Sequence, residues 1–194
     1  MKVEFFFDVG SPAAYLAWTQ LPKICAKQGA ELVYRPMLLG AVFQATGNAS
    51  PAAVPAKGRH SAIDLGRFAQ RYGVPLVMNP HFPINTLQLM RAVTGVQMRQ
   101  PERFEHLLTT LFDALWVDAL NLNEPPLVGR TLIRAGFAID EILALTNDPD
   151  VKAQLRTTTD EALERGVFGA PTVFVGDQMF FGQDRLDFVE EALS

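Results

Sequence analysis

A chain of 194 residues that is 48% hydrophobic and 20% charged can bury a full core as one domain, or as one domain carrying an insertion, which excludes a disordered or fibrous chain. The net charge of -4 offers no basic face for a phosphate backbone, so nucleic acid is not an expected partner. Cys25 is the single cysteine, which excludes an intrachain disulfide and reads as a small buried hydrophobe. The first apolar run, Val3 to Phe7, is interrupted by Glu4 and followed by Asp8, too short for a signal peptide or a membrane span, and the expected location is the cytoplasm.

In chain order, Lys2 to Phe7 is aromatic and β-branched and runs into Asp8-Val9-Gly10-Ser11-Pro12, the pattern of a buried strand entering a turn. A helix is expected at once, with Ser11 as N-cap, Pro12 in its first position, an apolar face through Ala13, Ala14, Leu16, Ala17, Leu21 and Ile24, and Gly29 at its end. Ala30 to Tyr34 alternates as a second strand, and the β-helix-β order implies parallel pairing. From about residue 40 to 165 the periodicity is helical and no strand is expected. Asn48 to Ala56, rich in Pro and Ala, reads as an ordered loop rather than a free linker.

The last thirty residues return to strand patterning. Thr172 to Val175 and Gln178 to Phe181 flank Gly176-Asp177, a two-residue hairpin signal, and Gln183 to Leu193 reads as a final amphipathic helix. The predicted fold is α/β: a thioredoxin-like βαβ…ββα sheet domain interrupted by a long all-helical insertion. Its expected boundaries are residues 1–38 and 165–194 for the discontinuous sheet domain and 39–164 for the insertion.

The turn after the first strand is where thioredoxin-like proteins hold a reactive thiol, because free backbone N–H groups and the helix dipole stabilise a thiolate there. Here that position holds Ser11-Pro12-Ala13-Ala14, so disulfide exchange by a Cys-x-x-Cys pair is not available. Three roles remain open for Ser11: an ordinary N-cap, a serine nucleophile, or a hydrogen-bond donor to a thiolate that arrives with a ligand. Val9-Gly10-Ser11-Pro12-Ala13 lacks the Gly-x-Ser-x-Gly setting of the second. Ala170-Pro171, just before the hairpin, stands where such folds place a cis-proline. His60, His81 and His106 show no metal-ligand spacing, and no metal is expected.

Phe7-Asp8-Val9-Gly10-Ser11-Pro12, Tyr34-Arg35-Pro36-Met37-Leu38-Leu39-Gly40, Thr46-Gly47-Asn48, Pro55-Ala56-Lys57, Phe82-Pro83-Ile84-Asn85-Thr86 and Phe168-Gly169-Ala170-Pro171-Thr172 together resemble the motifs of the 2-hydroxychromene-2-carboxylate isomerases. These are relatives of kappa-class glutathione transferases and, more distantly, of DsbA-type oxidoreductases. The resemblance spans essentially the whole chain. It implies glutathione as the cofactor, with Ser11 facing its sulfur, Asn48 and Lys57 at its glycine end, Ala170 and Pro171 beside its cysteinyl unit, and Gln183 and Asp184 at its γ-glutamyl end. It further implies that Tyr34, Arg35 and Asn85 bind a small aromatic carboxylate substrate, Arg35 through the carboxylate, in a cleft lined by Phe43, Phe82 and Trp116. The implied reaction interconverts 2-hydroxychromene-2-carboxylate and trans-o-hydroxybenzylidenepyruvate by reversible thiolate addition, in a homodimer serving naphthalene-type catabolism. Each of these residues also has a plain structural reading: Asn48 capping a turn, Lys57 a solvated charge, Asp184 a first-turn acid, the aromatics core.

Overall fold

Phe5, Phe6 and Phe7 are completely buried, and each contributes about 1.5–3 kcal/mol by leaving water, so the strand that carries them becomes the centre of the molecule. The computed structural model describes residues 1–194. Strand β1 (Lys2–Phe7) leads to helix α1 (Pro12–Gln28) and strand β2 (Glu31–Pro36). Seven helices follow: α2 (Leu39–Thr46), α3 (Pro55–Tyr72), α4 (Leu87–Arg99), α5 (Phe104–Trp116), α6 (Pro125–Arg134), α7 (Ile139–Asn147) and α8 (Pro149–Glu164). Strands β3 (Thr172–Val175) and β4 (Gln178–Phe181) and helix α9 (Leu186–Glu191) complete the chain.

The strands form one sheet in the order β2-β1-β3-β4, with β1 parallel to β2 and antiparallel to β3, and β3 antiparallel to β4. The α/β thioredoxin-like architecture with its helical segment between β2 and β3 is therefore the one expected. Strand β2 starts one residue later and runs two further than Ala30–Tyr34, because Glu31 to Pro36 pair residue for residue with Lys2 to Phe7. The last helix also differs from the expected Gln183–Leu193. Gln183–Arg185 forms a 3-10 turn before α9, and the hydroxyl of Tyr72 donates to the carbonyl oxygen of Gln183, an acceptor that a regular helix would use.

Alternation along β1 and β2 divides their side chains between two layers. Phe5, Phe7 and Tyr34 face a core of 36 buried residues that includes Leu16 of α1, Leu89 of α4, Leu111 of α5 and Leu132 of α6, so the helices of residues 39–164 share one interior with the sheet. Phe6 points the other way, to Met37, Val42 of α2, Ala162 of α8, Val167 and Phe174. Cys25 sits in the larger core at 3% exposure, and burial pushes its thiol pKa up. No helix is long and apolar enough to cross a membrane.

Candidate functional site

The amino end of α1 is built as its sequence dictates. Ser11 takes an extended conformation, with φ of -98° and ψ of 117°, and its Oγ accepts from Ala14 N–H at 3.1 Å, while Pro12 occupies the first turn at no cost in donors. No acid lies in that first turn, so the dipole of a 17-residue helix is not offset locally. The same Oγ donates to the carbonyl oxygen of Ala170 at 3.0 Å, which joins the turn to the segment before β3. The Ala170–Pro171 peptide bond is cis, and the N–H of Ala170 makes no hydrogen bond within the chain.

In front of Ser11 opens a cavity of about 1280 Å³, above the usual 300–1,000 Å³ of a small-molecule site and roomy enough for two ligands side by side. Its wall is drawn from the β1–α1 turn, α2, the loop after it, α3, the loop before α4, the segment before β3 and the turn after β4. Ser11, Asn48, Asn85, Ala170, Gln183 and Asp184 all line it, as do Phe43 and Phe82. Asn48 is exposed, and its Nδ2 donates to the carbonyl oxygen of Phe168, another wall residue, at 2.8 Å. The Asn85 Oδ1 accepts from Leu87 N–H at 3.2 Å, and its own N–H donates to Asn123 Oδ1 at 2.9 Å. The Asp184 carboxylate is paired with Arg185.

Several expected residues lie elsewhere. Lys57, in the first turn of α3, is exposed and outside the wall, although its neighbours Gly58, His60 and Ser61 are part of it. Pro171 stands behind Ala170, its carbonyl oxygen accepting from Gly182 N–H at 3.0 Å. Trp116 is fully buried behind the turn and donates through Nε1 to the carbonyl oxygen of Val9 at 2.8 Å, so it supports the site without facing it.

Tyr34 and Arg35 are the clear departures from expectation, and the register of β2 explains both. Tyr34 pairs with Phe5 and packs its ring against Phe5, Phe7 and Phe104 in the larger core. Arg35 pairs with Phe6 and so emerges on the opposite layer, where it contacts Glu161 of α8 and lies 3.9 Å from Glu4. Arg165 closes a ring of four charges, 2.8 Å from Glu4 and 3.5 Å from Glu161. Neither Tyr34 nor Arg35 lines the cavity.

Asp8 is the residue the sequence did not single out. Its fully buried carboxylate forms part of the wall and accepts three hydrogen bonds at 2.9 Å, from Gly10 N–H, Leu39 N–H and the hydroxyl of Thr86. Helix α2 has no side-chain cap of its own at Leu38, and Asp8 supplies one from the turn after β1. Burial raises the Asp8 pKa, partly opposed by those three donors.

The polar groups of the wall suit a peptidic thiol: an unpaired backbone N–H at Ala170 to donate to an extended backbone, a hydroxyl and a helix amino end for the sulfur, and the Asp184 carboxylate, shared with Arg185, to accept from an ammonium group. The model of the DSBA-like thioredoxin domain matches residues 2–194. The 2-hydroxychromene-2-carboxylate isomerase of Sphingobium xenophagum is 30% identical over 98% of this chain and 97% of its own. Glutathione S-transferase kappa 1 of Rattus norvegicus is 30% identical over 96% and 88%. A solved 2-hydroxychromene-2-carboxylate isomerase superposes with a TM-score of 0.86 at 29% identity, covering 100% of this chain and 94% of the other.

Proposed function

Since the chain belongs to the DSBA-like thioredoxin family and its relatives are isomerases and glutathione transferases, we propose that it is an enzyme, a cytoplasmic, homodimeric glutathione-dependent isomerase. The observation that carries this reading is Ser11 at the free amino end of α1, facing a large cavity in a protein whose one thiol is buried elsewhere. Glutathione, when bound, supplies the nucleophile: its thiolate adds reversibly to an activated double bond, allowing rotation before it leaves again.

The residues of this chain do the rest. The Ser11 hydroxyl turns from the Ala170 carbonyl to donate to the sulfur, while its oxygen keeps the Ala14 N–H. With the helix amino end it lowers the thiol pKa, and about one to two units below the free value near 8.5 is enough at neutral pH. Ala170 N–H holds the cysteinyl backbone beside Pro171. Asp184 takes the γ-glutamyl ammonium, with Gln183 next to it, and Asn48 and Lys57 hold the glycine end at the rim. Asn85, which lines the cavity with Ile84 and Thr86, hydrogen-bonds the organic substrate in this reading.

The reference reaction is the interconversion of 2-hydroxychromene-2-carboxylate and trans-o-hydroxybenzylidenepyruvate, a step of naphthalene-type catabolism. It is followed by absorbance with and without glutathione, beside conjugation of 1-chloro-2,4-dinitrobenzene and calorimetry with S-methylglutathione. Thiol-dependent isomerisation is expected. Conjugation without isomerisation selects the second reading, a kappa-like transferase, which the apolar lining around Phe43 and Phe82 also accommodates. Failure of S-methylglutathione to bind removes both.

A further inference from the structure

A molecule with a hydroxyl and a carboxylate on the carbon beside its ring oxygen is a cyclic hemiketal, and its double bond lies inside the ring, where it has no freedom to rotate. Thiolate addition alone therefore does not complete the proposed reaction: the ring must open, and opening moves a proton. We propose that His60 carries that proton, taking it from the hemiketal hydroxyl and delivering it to the phenol oxygen. The inference rests on the thiol-addition reading and adds to it a residue and a step.

The titratable side chains of the cavity wall are Asp8, His60, Asp64 and Asp184, with no lysine, arginine, tyrosine or cysteine among them. Asp8 is fully buried, and both its carboxylate oxygens are engaged by Gly10, Leu39 and Thr86. Asp64 lies 3.5 Å from Arg67, and Asp184 is paired with Arg185. Each carboxylate thus already has its partner. Imidazole is the side chain that both accepts and gives up a proton near neutral pH, and neither ring nitrogen of His60 is engaged within the chain. By contrast, His106 Nε2 lies 2.8 Å from the carbonyl oxygen of Ala135, and His81 is outside the wall. His60 stands exposed on the second turn of α3, near Gly58 and Ser61, which also line the cavity. Helix α3 packs against α1, whose amino end carries Ser11, so the imidazole and the thiol site share one chamber. The charged groups that bear on its proton are Lys57, Arg59 and Asp64 on its own helix, Asp184 and Arg185 after β4, and Asp8 after β1.

The step balances without a co-reactant. Neutral imidazole accepts the hydroxyl proton, and the electron pair of that O–H bond becomes the second bond of the pyruvoyl C=O. The bond from the same carbon to the ring oxygen breaks, and its pair leaves on that oxygen as phenolate. Imidazolium then protonates the phenolate and is neutral again, and the open enone carries the double bond to which the thiolate adds.

The test compares two substrates with glutathione present: the chromene carboxylate, which must open, and cis-benzylidenepyruvate made photochemically from the trans isomer, which lacks the phenol hydroxyl and so needs thiolate addition but has no ring to open. Turnover of each by the full-length parent and by His60→Gln is followed from about pH 5.5 to 8.5. On the chromene carboxylate the variant is expected to lose about 10²-fold in kcat and to regain part of it in added imidazole, while it isomerises cis-benzylidenepyruvate at the parent rate. In the parent, the rate on the chromene carboxylate falls more steeply toward acid than the rate on the cis compound, because thiol and imidazole both take up protons there. In the variant the two profiles run parallel. An unchanged rate on the chromene carboxylate overturns the proposal, and so does an equal loss on both substrates, which would make His60 a structural residue or a partner of the sulfur. If the parent isomerises neither substrate, the thiol-addition reading has failed and takes the proposal with it.

Discussion

The hydroxyl of Thr86 donates to Asp8 Oδ2 at 2.9 Å in the buried floor of the cavity, between residues 78 positions apart. One carboxylate thus fastens the end of β1, the start of α2 and the loop that carries Asn85. The wall owes its shape to that fastening as much as to the sheet.

Thr86→Val keeps the side-chain volume but removes a hydrogen-bond partner from a buried carboxyl group, so a loss of about 1–3 kcal/mol in stability is expected, with Thr86→Ser keeping the hydrogen bond. Urea unfolding measures it. An unchanged midpoint in the valine variant would mean that Asp8 is solvated by some other route.

Asp8 also predicts a pH signature. Its folded pKa lies above the ordinary value of 3.8 because burial outweighs its donors, so this group's contribution to stability is fully present below 3.8 and falls as pH rises from there through the folded value. Asp8→Asn has no such titration. Asparagine sets its amide N–H₂ against one of the donors and costs stability at low pH, but its deficit relative to the parent should shrink as pH rises from about 4. A deficit that grows with pH would show that the hydrogen bonds dominate instead.

Ser11→Ala removes the N-cap acceptor and should cost about 1 kcal/mol of stability. Its larger effect is on chemistry: a fall in kcat of about 10²–10³ is expected for loss of one well-placed donor to developing or resident negative charge, with S-methylglutathione binding little changed. Steady-state kinetics at the parent rate would return Ser11 to the role of a plain cap.

Arg35→Ala separates the two layers of the sheet. Glu4 and Glu161 each lose a cation in a half-buried setting, and a destabilisation of about 1–2 kcal/mol is expected after allowance for solvent screening. The KM for the chromene carboxylate should stay at the parent value. A selective rise in that KM would place Arg35 in the substrate site after all.

Short-range chemistry was readable from the residues. Gly176-Asp177 between two apolar runs gave the β3–β4 hairpin, and Ser11-Pro12 gave the start of α1. Tyr34 and Arg35 were placed at the site by resemblance, within a motif that contains both, and only the β1–β2 register, Phe5 with Tyr34 and Phe6 with Arg35, reveals which layer each one joins. Asp8 left no mark either, since two of its three donors lie 31 and 78 residues away. Long-range hydrogen bonds to a single acid have no local periodicity to detect. The candidate residues that line the cavity were singled out through a pattern spread over the whole chain, not through any one motif.

Cys25 has a consequence for survival beside reactive chemistry. An enzyme that handles electrophiles is exposed to alkylation by its own substrates, and thiols are the first protein groups to suffer. This chain carries a single sulfhydryl, packed inside the larger core with its pKa raised by burial, so a stray electrophile finds no thiol on the protein's surface to poison.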